Sequence, residues 1–293
     1  MLPDHPLILD GATGTELERR GVQLSAPLWS TRAILETPDL LRDLHRDYLE
    51  AGADLITTNT FRAHARNLHD AELDLPAREV VSRAVAIAIE ARDQVKSSAI
   101  ILGSVAPLED CYRPDLAPDE TTCAHEHERM MRYLLDAGVD HLLIETMGTL
   151  REASAAAQAA ERLAPDRWSI SLLMTHDGPP GVLFSGESAK ALRPHLVTAT
   201  AVGVNCIPAP DVRMHLRWWR KQLPGDTRLL AYGNTGQRHA DGTWRVTRAD
   251  DPNWYASLTD NWREAGATIV GGCCGTTPET IRAVAGRWRG AVS

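Results

Sequence analysis

Phenylalanine is nearly missing from this chain, with 2 in 293 residues, and its lysines and arginines form no stripe. Readers of nucleic acid need a basic face and stacking rings, so that class is set aside. No apolar run approaches the ~20 residues that span a bilayer as a helix, which argues against a membrane protein. The opening MLPDHPLILDG carries acids and prolines where a secretory leader needs basic residues and then an apolar stretch. A cytoplasmic location is therefore expected. There is no low-complexity segment, no CxxC pair, and no composition shift or linker that would split the chain, so residues 1–293 read as one domain.

What is present is ample apolar material. Hydrophobic residues make up 43% and charged residues 24%, the balance of a globular protein with a sizeable core. The net charge of −8 comes from scattered acids, which read as a solvated surface. Nothing in the sequence fixes the oligomeric state, and a homo-oligomer is compatible with it.

Short apolar runs alternate with amphipathic stretches, the rhythm of parallel βα units. Eight strands are predicted: 6–10, 54–60, 99–105, 141–146, 168–174, 200–205, 228–232 and 267–272. Helical patterns are predicted over 38–51, 77–95, 119–137, 150–163, 187–195, 211–223, 252–265 and 278–287. Thr37 is placed to cap the first of these, Pro38 to open it and Gly52 to stop it. Gly138 is placed to close the helix that ends at Ala137. Residues 11–36 and 233–251 read as long connections. Eight strands interleaved with helices favour a closed (β/α)8 TIM barrel over an open sheet.

The residues that are odd for a barrel core sit at the carboxyl ends of the strands. They are Asp10, Asn59 and Thr60, Ser104, Glu145, Cys206, Asn234, and the adjacent pair Cys273 and Cys274. In a TIM barrel these ends converge on one face, where the loops build the active site.

Five cysteines is an odd count, and neighbours such as Cys273 and Cys274 rarely pair with each other. A reducing compartment leaves them as thiols. Strands six and eight lie one strand apart, so Cys206 can meet the pair on one rim. Three thiolates there suit Zn²⁺ with one position open, as a catalytic zinc requires. Gly271, Gly272 and Gly275 would let the backbone turn tightly around them. The plainer reading is small, inert core cysteine, which fits Cys123 best. Three cysteinates leave the site electron-rich, better suited to activating a thiol than to making hydroxide from water. That chemistry favours alkyl transfer to sulfur. In the segment DGATGTE, backbone N–H groups could hold a carboxylate, while Asp10 and Glu145 could hold an ammonium group, gripping both ends of an amino acid. An ordinary tight turn and a stray rim carboxylate are the alternatives.

LDGATGTELERRG, APLWS, GADLITTNTF, ILGSVAPL, LLIETM, GVNC, YGNTG and GGCCGTTPETI together resemble the homocysteine S-methyltransferase family, from near residue 7 to near residue 285. GVNC and GGCCGTTP are the most specific of these. The resemblance implies a TIM barrel with zinc on Cys206, Cys273 and Cys274. It implies that homocysteine's amino group is held by Asp10 and Glu145, and its carboxylate by the amides of Gly11, Ala12 and Thr13. It offers Asn234 as a zinc ligand that homocysteine displaces, with a plain turn asparagine as the other reading.

The family's methyl donors include S-methylmethionine, S-adenosylmethionine, betaine and methyltetrahydrofolate through cobalamin. At 293 residues the chain is expected to carry no folate or cobalamin domain, so cobalamin is not expected unless a separate subunit supplies it. Arg62 after NTF would repel a quaternary ammonium, so a sulfonium donor is expected over betaine. TTNTF and the compact 108–118 loop depart from the S-methylmethionine pattern, which keeps the donor open. Trp29 and Trp244 either face the donor or simply pack. Two other readings remain: a zinc or thiol binding barrel without turnover, and an enzyme acting on another thiol or a selenol. The expected partners are small molecules, homocysteine and a methyl donor.

Overall fold

The eight apolar runs become the eight strands of one parallel sheet in the computed structural model, which describes residues 2–176, 178–238 and 244–290. They are β1 (Leu7–Ile8), β2 (Leu55–Thr57), β3 (Ile100–Val105), β4 (His141–Met147), β5 (Trp168–Leu172), β6 (Ala201–Pro208), β7 (Arg228–Asn234) and β8 (Ala267–Gly272). Each pairs with its neighbour in sequence, and β1 also pairs with β8. A parallel bridge between Leu9 and Leu55 joins β1 to β2, which closes the barrel.

Strand periodicity sorts the apolar side chains into two layers. Leu7, Leu9, Leu55, Leu102, Leu143, Leu230 and Ile269 form one cluster inside the barrel. Ile8, Ile56, Ile101, Leu142, Ile144, Leu229 and Val270 face the other way, into the larger cluster under the helices. Strands buried on both faces need near-continuous apolar sequence, which is why the runs were legible.

Helices Pro38–Glu50, Ala77–Gln94, Glu120–Ala137, Leu150–Leu163, Val212–Gln222, Pro252–Glu264 and Pro278–Gly290 cover the sheet. Asp119 caps the third of these by accepting from the Thr122 N–H, and Gly138 closes it at φ 94°. Thr37 does not cap: its side chain makes no cap bond, and its buried hydroxyl finds no partner. Its backbone, at φ −140° and ψ 53°, stands outside the extended conformation that would aim the oxygen at the helix amides. The segment predicted as a helix over 187–195 is a 3-10 turn, Ala189–His195, with Pro194 inside it. A proline there supplies no N–H for a longer helix. In the connection after β7, Gly236–Arg238 and Trp244–Val246 pair as an antiparallel ribbon, whereas the sequence suggested loop alone. Residues 239–243 of that segment lie outside the described residues. Among the described residues, no helix is long and apolar enough to cross a membrane.

Candidate metal centre and substrate cavity

Alternation carries past the apolar layer to the functional one. On β3 and β4, two residues beyond Leu102 and Leu143 stand Ser104 and Glu145; on β7, Tyr232 follows Leu230 by the same step. All three line a cavity of about 970 Å³ at the carboxyl ends of the strands. That is the upper end of the ~300–1,000 Å³ usual for small-molecule sites, with room for more than one amino-acid-sized substrate. Asp10, Asn59, Cys206, Cys273 and Cys274 line it too.

The three sulfurs meet. Those of Cys206, Cys273 and Cys274 lie within 4.8 Å of one another, and Cys206 Sγ is 3.9 Å from Cys274 Sγ. Two sulfurs bound to one tetrahedral zinc at 2.3 Å stand about 3.8 Å apart, which the Cys206–Cys274 pair matches, and the third sulfur lies near enough to join them on a small side-chain shift. Two backbone devices bring it together. Cys206 breaks the alternation of β6 by taking a left-handed φ of 59°. Gly275 holds φ 85° beside Thr235, where a Cβ would lie 2.0 Å from the Thr235 hydroxyl. Only glycine fits there.

The neighbouring thiols of Cys273 and Cys274 hydrogen-bond to Cys206 and hold its thiol well below the ordinary range. The same contacts with an ionised Cys206 push Cys273 and Cys274 up. The cluster therefore favours negative charge on Cys206 over its two neighbours. Cys123 is elsewhere and inert: its thiol donates to the Pro118 carbonyl at 3.4 Å, and burial raises it to about 12.

Asn234 is buried against this cluster. Its Nδ2 donates to the Cys206 carbonyl at 2.8 Å, and its Oδ1 accepts from the Cys274 N–H at 3.1 Å. It ties the two cysteine-bearing strand ends together.

The carboxylates are held by donors. Asp10 accepts from the Thr57 N–H at 2.7 Å and the Thr57 hydroxyl at 3.0 Å. Glu145 accepts from the Ser104 hydroxyl and from Tyr232 Oη at 3.2 Å. Burial raises Asp10 to about 8 against the pull of Thr57, with Glu145 adding to the rise. Burial likewise raises Glu145 to about 7 against Ser104, and Cys206 adds to it. Two acids that burial leaves reluctant to ionise welcome a cation.

Gly11, Ala12 and Thr13 also line the cavity. The Ala12 N–H already donates to the Thr276 hydroxyl at 3.1 Å, and Tyr48 Oη donates to the Ala12 carbonyl at 2.7 Å. These bonds shape the loop, and they commit one of the three amides expected to hold a carboxylate.

Glu18, Asp70, Glu109, Asp110 and Asp250 surround the outer cavity with Arg19 and Arg62. Acid predominates. The Arg62 guanidinium donates to the Glu109 carbonyl at 2.7 Å. Trp29 and Trp244 both line the wall, Trp29 edge-on to Phe61. Asn59 pins the loop that carries Trp29, accepting from the Ser30 hydroxyl at 2.6 Å and donating to its carbonyl at 2.7 Å.

Sequence reasoning missed Tyr112, whose Oη lies 3.3 Å from Cys206 Sγ. It stands in the 108–118 loop, where no periodicity reports direction. That loop is fastened by the Leu108 N–H donating to Glu152 Oε1 at 2.8 Å, and by Arg66, which pairs with Glu109 and Glu126. Tyr232 and Thr57 were missed as well, although strand parity could have found Tyr232.

The family model described as homocysteine S-methyltransferase matches residues 7–288. The homocysteine S-methyltransferase YbgG of Bacillus subtilis is 33% identical over 97% of this chain and 95% of its own length. A selenocysteine methyltransferase of Astragalus bisulcatus is 30% identical, covering 94% of this chain and 90% of its own. Among solved structures, the metallated form of the Escherichia coli homocysteine methyltransferase MmuM superposes with a TM-score of 0.82 at 28% identity, covering 97% of this chain and 96% of that one. On the residues matched and the barrel that carries them, this chain belongs to the homocysteine S-methyltransferase family.

Proposed function

We propose that this protein transfers a methyl group from a sulfonium donor, S-methylmethionine or S-adenosylmethionine, to the sulfur of homocysteine, giving methionine. The observation that carries the reading is one cavity holding both a three-sulfur cluster and two buried carboxylates. Zn²⁺ on Cys206, Cys273 and Cys274 would lower the acceptor thiol's pKa and keep it ionised at neutral pH.

The chain's own residues do the rest. Asp10 and Glu145 bind the acceptor's ammonium group, whose charge offsets the burial that holds both acids up. The amides of Gly11 and Thr13 would meet the carboxylate end, that of Ala12 being held by Thr276. Asn234 holds the backbone of Cys206 and Cys274, and Tyr112 offers its hydroxyl to the Cys206 sulfur. The acidic mouth draws a cationic donor. Transfer forms one S–CH₃ bond and breaks another, and the departing sulfonium becomes a neutral thioether. No proton is needed at the leaving group, so alignment carries the catalysis. The reducing cytoplasm is the compartment in which such a cluster stays reduced.

A selenol acceptor is the second reading, favoured by the likeness to a selenocysteine methyltransferase. The test is a donor screen with zinc-loaded protein and homocysteine, reading methionine by mass spectrometry. S-methylmethionine is expected to outperform betaine. Betaine outperforming both sulfonium donors would overturn the donor class, and no methionine from any donor would overturn the activity.

A further inference from the structure

Three residues lining the cavity stand in left-handed backbone without being glycine: Trp29 at φ 48° on the outer wall, and Thr146 at φ 61° and Cys206 at φ 59° at the strand ends. For a β-branched residue such as Thr146 this conformation is strained, and it persists only where the surroundings enforce it. Thr146 directly follows Glu145, and Cys206 is itself a sulfur of the cluster. The parallel register breaks at both places, between Ile144 and Met147 and between Asn205 and Pro208.

One side chain joins the two breaks. Asn205 Nδ2 donates to Thr146 Oγ1 at 2.7 Å, and Asn205 Oδ1 accepts from the Thr146 N–H at 3.0 Å. Asn205 is fully buried. The amide meets both groups of Thr146 at once, donating to the hydroxyl and accepting from the N–H, and does so without burying a charge. The latch reaches past β5, from the strand end bearing Glu145 to the strand end bearing Cys206.

We propose that Asn205 is a positioning residue that fixes the separation of Glu145 from Cys206 and so sets the length of acceptor the site grips at both ends. The proposal rests on the function above, with the ammonium at Glu145 and the sulfur at the cluster. A two-ended ligand gains from its second contact only when both anchors keep their spacing, because the effective concentration at the second anchor falls as it wanders. Without the latch, Thr146 is free to leave left-handed backbone, and Glu145 moves with it. The sulfur end keeps its own supports, Asn234 on the Cys206 carbonyl and Tyr112 on its sulfur.

The test compares L-homocysteine with 4-mercaptobutanoate, the same chain without the amine, by calorimetry on zinc-loaded full-length protein. The unsubstituted protein is expected to bind homocysteine more tightly. In Asn205→Ala the ratio of the two affinities is expected to fall roughly tenfold, with zinc content and 4-mercaptobutanoate affinity retained. An equal loss for both ligands marks a merely structural role and overturns the proposal, as does an unchanged ratio. If Asn205→Ala does not fold, Thr146→Val removes the acceptor hydroxyl while keeping the side chain's shape, and the same ratio decides. An unsubstituted protein that shows no preference for homocysteine overturns the ammonium assignment, and the latch with it, before any variant is made.

Discussion

Cys206, Cys273 and Cys274 meet chiefly one another, Tyr112 and the amide of Asn234, whereas Asp10 and Glu145 in the same cavity are each gripped by two donors from other strands. The sulfurs are gathered by backbone, through a left-handed cysteine and a glycine that no other residue can replace. The carboxylates are gathered by side chains, Thr57, Ser104 and Tyr232. A cation bound on the sulfurs would draw together a cluster that is already assembled, while the carboxylates are preorganised for a ligand that arrives and leaves.

That contrast ranks what substitution does. The largest effect is expected on the sulfur side: Cys206→Ala loses both bound zinc and methyl transfer, checked by metal analysis alongside methionine formation. Full zinc content in that variant would erase the distinction. On the carboxylate side, Glu145→Gln keeps its zinc and raises KM for homocysteine by about 10- to 100-fold, the worth of a hydrogen bond to a charged group. Equal damage to zinc content would make the two sides one unit.

Acidity sharpens the comparison further. Asp10 is raised from 3.8 to about 8, so between those values the folded protein holds a proton that the unfolded chain releases. Stability from this group is fully present below pH 4 and is lost as pH rises through about 8. The urea midpoint is expected to decline from pH 5 to pH 8, and less steeply in Asp10→Asn. An identical slope in the variant would place the acidity elsewhere. The smallest effect belongs to Tyr112→Phe, which removes one hydroxyl from the Cys206 sulfur. About a two- to tenfold change in kcat with zinc retained is expected, read by steady-state kinetics.

The two sides also differ in how far the sequence disclosed them. The cysteines were legible because adjacent thiols flanked by glycines have few other uses, and their strands could be placed on one rim by counting. Glu145 was legible as a carboxylate at a strand end. Ser104 was named at its own strand end and parity points to Tyr232, but their pairing with Glu145 was not legible, because they come from 41 and 87 residues away. Tyr112 sits in an irregular loop, where side-chain direction follows from tertiary packing alone. Asn205 lay in plain view inside GVNC, but its bond to Thr146 depends on two kinks that periodicity assumes away. The same limit explains Thr37, a good cap by residue type whose backbone is set by the preceding short helix, Arg32–Glu36.

X-ray absorption at the zinc edge, with and without homocysteine, bears most directly on the three-sulfur centre. The expected spectrum has three sulfurs and one lighter atom around the ion, changing to four sulfurs when homocysteine is added, with a selenium shell when selenohomocysteine replaces it. A coordination shell that stays the same in all three samples would contradict an open metal position that receives the acceptor.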